Sequence, residues 1–189
     1  MEEVFILGAA RTPLGKLSGS LSSIPAPTLG AIAIKGALER AKLKPDQVDY
    51  TLMGNVLQAG VGQAPARQAA ISAGIPVTAS AMTVNKVCAS GLTASVLGAG
   101  MIQLGDAGIV VAGGMESMSL APHLLKGSRN GIRLGNWEMV DSLVQDGLWC
   151  ALASQDMASA AEAIGERHGV TREQQDAFAL RSHQRAVAA

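Results

Sequence analysis

The sequence predicts an α/β protein with a parallel, layered sheet, and three observations predict it. Short apolar runs that read as strands alternate with stretches of helical periodicity from Val4 to Gly114. The runs end in glycine or other small residues, as strands feeding turns do. With 48% hydrophobic and 16% charged residues in 189, the chain is apolar enough to fill a core and too apolar for disorder.

Taken in order, residues 3–9, VFIL and its neighbours, read as a buried strand. Gly, Pro and Ser dominate from Thr12 to Pro27, a loop. From Thr28 to Lys42 the pattern is that of an amphipathic helix, with Lys35, Glu39 and Lys42 on one face and Leu29, Ile32, Ala33 and Gly36 on another. VDYTLMGNVLQ, residues 48–58, reads as a second strand, and PARQAAISAG, residues 65–74, as a short helix closed by Gly74 before Pro76. No charge falls between Lys86 and Asp106. That span is about long enough to cross a bilayer, yet it is filled with Gly, Ala, Ser and Thr, which predicts a buried helix instead. GIVVAGG then predicts a buried strand ending at Gly113.

After Gly114 the pattern changes. SLAPHLLKGSRNGIRLGNW mixes turn residues with scattered apolar ones and has no sustained period, an excursion from the core. Two helices follow. One lies around Gln155 to Arg167, with Met157, Ala160, Ala161 and Ile164 at helical spacing; the other starts at Thr171, where Gln174 completes a capping box. Ala189 lies inside a helical pattern with no residue to end it, so the sequence reads as cut there.

Composition also narrows the function. Fifteen Lys plus Arg balance fifteen Asp plus Glu, so no basic field exists for nucleic acid or an anionic membrane. Two cysteines, Cys88 and Cys150, do not make a secreted disulfide framework, and MEEVFILGAARTP resembles neither a signal nor a transit peptide. The expected location is cytoplasmic.

Within NKVCASG a helix starting near Cys88 would put its thiol beside unpaired N–H groups and the positive end of the macrodipole, which favour the thiolate. Ala89, Ser90 and Gly91 leave room for a substrate against the backbone, and the same N–H groups suit a developing oxyanion. A lone cysteine is more often inert packing than a nucleophile, and these residues alone leave both readings open. The other motifs offer less. His123, His168 and His183 read as surface or packing residues, and Gln103 breaks the dinucleotide fingerprint begun by Gly98 and Gly100. AGVGQAP lacks the Lys of a phosphate loop, and no metal-ligand spacing occurs. Met115, Met118 and Met157 read as core gap fillers and Cys150 as ordinary packing.

Several stretches together resemble the thiolases, in particular their acetyl-CoA acetyltransferases: AARTPLGKLSGSL, IPAPTLG, GQAPARQAA, NKVCASG, GDAGIVVAGGMESMSLAPH and TREQQDAFALRSHQRAVAA. The resemblance runs the length of the chain. It implies a layered α-β-α core half over residues 1–117 and, over 118–189, the start of an inserted loop subdomain for CoA binding and oligomerisation. It also implies that Cys88 is the acyl-accepting nucleophile, that the Cys88 N–H forms half of an oxyanion hole, and that Leu148 and Met157 line the CoA site. CoA thioesters would be substrates, with no cofactor or metal, in a homodimer or homotetramer of fatty acid metabolism.

The family's general-base histidine, second cysteine and oxyanion asparagine lie in motifs that these residues lack, so this chain by itself is expected not to turn over. Where many relatives have a histidine before that methionine, this sequence has Asp156, which puts the CoA contacts in question. Two other readings remain: a non-catalytic acyl-CoA-binding or assembly module, and a related condensing enzyme such as a ketoacyl synthase.

Overall fold

The computed structural model describes residues 3–189. By compactness the chain divides after Gly147 into a larger first unit and a second unit, Leu148–Ala189. Residues 118–147, read from sequence with the loop subdomain, belong by compactness to the first unit.

The first unit is built on three parallel strands, β1 (Tyr50–Gly54), β2 (Ser80–Val84) and β3 (Val110–Gly114), in the order β2-β1-β3. Leu52 pairs with Met82 on one side and Ala112 on the other. The crossover from β1 to β2 is helix α2 (Pro65–Ser72), and that from β2 to β3 is helix α3 (Ser90–Leu104). Successive side chains of a strand point to opposite faces, and β1 uses both. Met53 joins a core with α2 and helix α1 (Ala26–Ala41), including Ile34, Leu38, Ala66, Ala69 and Ala70. Leu52 faces the other way, onto Ala94 and Met101 of α3. The result is an α-β-α sandwich, as expected.

Details of the expectation change with the packing. α1 buries Ala26, Pro27, Gly30, Ala31, Ile34 and Leu38, whereas Ile32 is about half exposed. The helix is rotated from the predicted face because its small residues let it approach α2: a Cβ on Gly30 would lie 2.6 Å from Met115 Sδ and 3.3 Å from Ala69 Cβ. Residues 3–9 are not a buried strand. They join no sheet, and Phe5, Ile6 and Leu7 are exposed; the end of the segment lies on α1 instead, where a Cβ on Gly8 would be 2.7 Å from the Ala37 carbonyl oxygen and Arg40 donates to the Ala9 carbonyl.

The predicted buried helix starts at Ser90 and buries only Ser90, Ala94 and Gly98, one stripe of three residues spaced four apart, leaving Leu92, Val96 and Leu104 exposed. β3 ends at Gly114 and is half-exposed, since it is an edge strand with a neighbour on one side only. Strand β2, whose SAMTV is too polar and short to stand out, had no sequence prediction. Its Thr83 has a specific task. α2 starts from Ala64, which carries no capping side chain, and Thr83 Oγ1 accepts from Ala66 N at 3.0 Å in its place.

Beyond β3 the excursion holds a two-residue antiparallel ladder, β4 (His123–Leu124) with β5 (Val140–Asp141), and a π-helical stretch at Leu143–Leu148. Met115 is a buried gap filler as predicted, but Met118 is not, with 43% of its surface exposed.

The second unit contains the ladder of β6 (Trp149–Cys150) with β7 (Gln155–Asp156), then α4 (Met157–Arg167) and α5 (Arg172–Ala188). α5 carries the predicted capping box: Gln174 N donates to Thr171 Oγ1, and Thr171 N to Gln174 Oε1. Neither helix buries a residue, so Met157 and Ile164 are not core.

Thr51 is fully buried on the central strand and its Oγ1 has no partner. A buried hydroxyl without a bond costs about 1–3 kcal/mol. Thr51→Val is therefore expected to raise the thermal midpoint, by about 1 kcal/mol of stability. A lower midpoint would show that the hydroxyl has a partner.

Candidate active site

The turn that carries Cys88 joins β2 to α3. Asn85 Oδ1 accepts from Val87 N at 3.0 Å, and Ser90 Oγ accepts from Lys86 N at 2.9 Å while donating to the Val87 carbonyl. Ala89 N and Ser90 N donate back to the carbonyls of Lys86 and Val87 at 3.1 Å each. The chain is thereby wound so tightly that Val87 takes φ +50°. That left-handed conformation is an outlier for a β-branched residue and costs on the order of 1–3 kcal/mol. The segment holds a strained residue immediately before an exposed cysteine. Strained strand-to-helix turns serve elsewhere to lift a nucleophile clear of its neighbours. α3 itself starts two residues later, with Ala89 as its N-cap.

Below this turn three backbones meet. A Cβ on Gly54, at the end of β1, would lie 2.7 Å from Gly91 N and from Ser90 Cβ. Real side chains do not tolerate that approach, so the end of β1 touches the first turn of α3 only because residue 54 has no side chain. Gly114, at the end of β3, lies against Gly91 in turn. Cys88 is thus held at the carboxyl ends of the parallel strands. α2 and α3 cross on opposite faces, and β1 and β3 stop side by side here with Gly54 paired to Gly114, at the carboxyl edge where open α/β sheets place their ligands.

A cavity of about 510 Å³ opens there. Cys88, Gly91, Asn55 and Glu116 line it together with Leu29 and Ala33 of α1, and much of the loop from Ala10 to Ser22, with Arg11 and Lys16, lines it as well. Two serine bonds fasten that loop. Ser18 N donates to Ser119 Oγ, and Ser117 Oγ donates to the Ile24 carbonyl, both at 2.9 Å.

Glu116, two residues past β3, is half-buried and reaches across to the end of β1. Its Oε1 accepts from Asn55 Nδ2 at 2.6 Å and Leu57 N at 3.2 Å, and its Oε2 from Val56 N at 2.9 Å. Burial pushes its carboxyl above the usual glutamate value, and the three donors partly offset that. Asn55 is 1% exposed, and its Oδ1 has no partner. The sequence reading missed Asn55, Val87 and Glu116. A signal existed, since Asn directly after one strand and Glu two residues after another are polar residues at strand carboxyl ends.

Leu148 and Met157 lie in the second unit. The Trp149–Asp156 pair brings them to the same end of the β6–β7 ladder, one step beyond its register, and both are partly exposed. Asp156 has a structural explanation: it is the N-cap of α4, with Oδ1 accepting from Ser159 N at 2.9 Å and Oδ2 from Ser159 Oγ at 2.8 Å. The Ser159 N–H holds its carboxyl below the usual aspartate value. Cys150 is partly buried, with its Sγ accepting from Ala153 N. His123, His168 and His183 are exposed. Among the described residues no group of three or more His, Cys, Asp or Glu could hold a metal.

Residues 4–189 match the family model described as thiolase, N-terminal domain. Acetyl-CoA acetyltransferase of Cupriavidus necator is 56% identical over 189 residues, covering 100% of this chain and 48% of the relative. The Pseudomonas aeruginosa acetyl-CoA acetyltransferase is 53% identical over the same span, again 100% and 48%. The crystal structure of Acat5 thiolase from Ascaris suum in complex with coenzyme A superposes with a TM-score of 0.94 at 40% identity, covering 100% of this chain and 49% of that one. The chain spans about half the length of the curated relatives it matches.

Two measurements test this geometry. Val87→Gly removes the left-handed penalty and is expected to stabilise the protein by about 1 kcal/mol in denaturant unfolding, with a loss of stability refuting the strain. A raised glutamate pKa in the folded state contributes stability below the ordinary value of 4.5 that is lost as pH rises through the folded value. Subtracting the stability–pH curve of Glu116→Gln from that of the unmodified protein should leave a fall with rising pH just above 4.5; a flat difference would contradict the burial effect.

Proposed function

This chain belongs to the thiolase family, whose N-terminal domain it carries, and on that premise we propose that it supplies the nucleophilic cysteine for acyl transfer between CoA thioesters. The observation that carries this reading is Cys88 itself, exposed behind a strained Val87 at the carboxyl edge of the sheet, on the wall of a cavity.

In the proposed step the Cys88 thiolate attacks the thioester carbonyl of acetyl-CoA. A carbon–sulfur bond forms to Cys88, and the bond to the CoA sulfur breaks as the tetrahedral oxyanion collapses. CoA leaves as its thiol, taking up the proton that Cys88 gave up. Exchange of one thioester for another keeps the acyl group activated, so a second acyl-CoA, as a carbanion, takes it in a Claisen condensation. In thiolysis the thiolate instead attacks the 3-keto carbon of acetoacetyl-CoA, the C2–C3 bond breaks, the departing acetyl-CoA carbanion takes a proton, and CoA then takes the acetyl group from Cys88. The N–H of Cys88 would donate to the oxyanion.

The general base and second cysteine that the family resemblance calls for do not occur in these residues. Residues 1–189 alone are expected to leave acetoacetyl-CoA uncleaved.

The same reading gives the remaining roles. Residues 118–189 would begin the loop subdomain that receives the pantetheine and adenine parts of CoA, with Leu148 and Met157 against the ligand. The whole protein would be a cytoplasmic homodimer or homotetramer of fatty acid metabolism, with no cofactor beyond its CoA substrates and no nucleic-acid or membrane partner.

Intact mass of the full natural protein before and after incubation with acetyl-CoA is the direct test. An acetyl adduct that disappears in Cys88→Ala is expected. No adduct, or one that persists in Cys88→Ala, would refute the assignment.

A further inference from the structure

Glu116 lines the same cavity as Cys88, yet all its hydrogen bonds go to the segment that follows β1. A carboxylate that accepts three donors from consecutive residues fixes both the backbone and the one side chain among them. Here those donors are Asn55 Nδ2, Val56 N and Leu57 N. Asn55 Nδ2 also donates to the Met115 carbonyl at 3.3 Å. With acceptors on both sides of its NH2 group, the Asn55 amide cannot turn over, and its Oδ1 stays where no protein donor meets it. An unpaired buried oxygen is costly and survives only where its surroundings hold it in place. Gln58 Nε2 adds a bond to the Asn55 carbonyl at 2.9 Å, and Asn55 N donates to Val84 O at 3.0 Å, at the strand leading into the Cys88 turn.

We propose that Glu116 is a positioning residue for the Cys88 site, gripping Asn55, Val56 and Leu57 so that the end of β1 forms a fixed wall of the cavity in which the acyl thioester is seated against Cys88. This rests on the acyl-transfer reading above. Glu116 acts through the wall it holds. Its loss should therefore slow a reaction that needs a seated substrate far more than one that needs only an accessible thiol.

The experiment compares two reactions of Cys88 in the full natural protein, acetylation by acetyl-CoA and alkylation by iodoacetamide, each followed by intact mass. Glu116→Ala is expected to slow acetylation by about tenfold or more while alkylation changes by less than about threefold. Glu116→Gln keeps one oxygen for Asn55 Nδ2 and Leu57 N but sets an NH2 group against Val56 N. Its acetylation rate should fall between those of the unmodified protein and Glu116→Ala. If Glu116→Ala does not fold, Glu116→Gln carries the test alone, with slowed acetylation and unchanged alkylation expected.

Acetylation at the normal rate in these variants would overturn the inference while leaving the acyl-transfer reading intact. Equal slowing of both reactions would also overturn it, since that is general structural support. Absence of any acetyl adduct in the unmodified protein would remove the acyl-transfer reading and this inference with it.

Discussion

Close approach of three backbones, at Gly54, Gly91 and Gly114, sets the position of everything at the carboxyl edge of the sheet. The 2.7 Å between a notional Cβ on Gly54 and Gly91 N leaves no tolerance, because backbone cannot yield as the end of a flexible side chain can. α3 therefore starts in direct contact with the central strand, and the turn before it has only a few residues in which to reverse direction. Strain at Val87 and the presentation of Cys88 follow from that shortage of chain. Asn85 and Ser90 supply the hydrogen bonds that keep the turn closed.

Polar groups at this edge are matched to the same constraint. β1 and β3 stop side by side, and their last residues would leave amide groups unpaired in a partly dry cleft. Glu116 satisfies those of Val56 and Leu57 with one carboxylate, so the chain leaves β1 in a defined direction. At the opposite edge Asp49 does the same for Gly108 and Ile109, accepting from both, and those bonds hold its carboxyl below the usual value. The two carboxylates have opposite shifts because Asp49 is exposed and Glu116 is half-buried. The central strand is thus pinned to β3 beyond both of its ends.

Much of the fold was legible in the residues. Alternation of apolar runs with helical periods gave the α/β class, and Thr171 with Gln174 gave the start of α5, since capping is a property of four adjacent residues. Burial was less legible. Residues 3–9 and α3 are apolar enough to be buried, but burial needs a neighbour, and among the described residues Ile6 and Leu92 have too little beside them. The rotation of α1 was hidden for a related reason. Its inward face is chosen by how closely Gly30 and Ala31 let it approach α2, and no periodicity in α1 alone encodes the shape of its partner. Asp156 looked out of place as a ligand neighbour and became ordinary once Ser159 was seen to stand where a capped helix needs it.

By itself the sequence determined the local chemistry: which segments are helix or strand, and that a single cysteine sits between a strand and a run of small residues. It also carried, through NKVCASG and GGMESMS, the family to which the chain belongs. Only the tertiary structure decided that Val87 is strained, that Glu116 reaches back to Asn55, and that both lie with Cys88 on one cavity. The bond from Glu116 to Asn55 joins residues about sixty positions apart. Hydrogen bonds and close packing act over a few ångströms in space, and which residues lie that close is settled by the crossovers of the sheet.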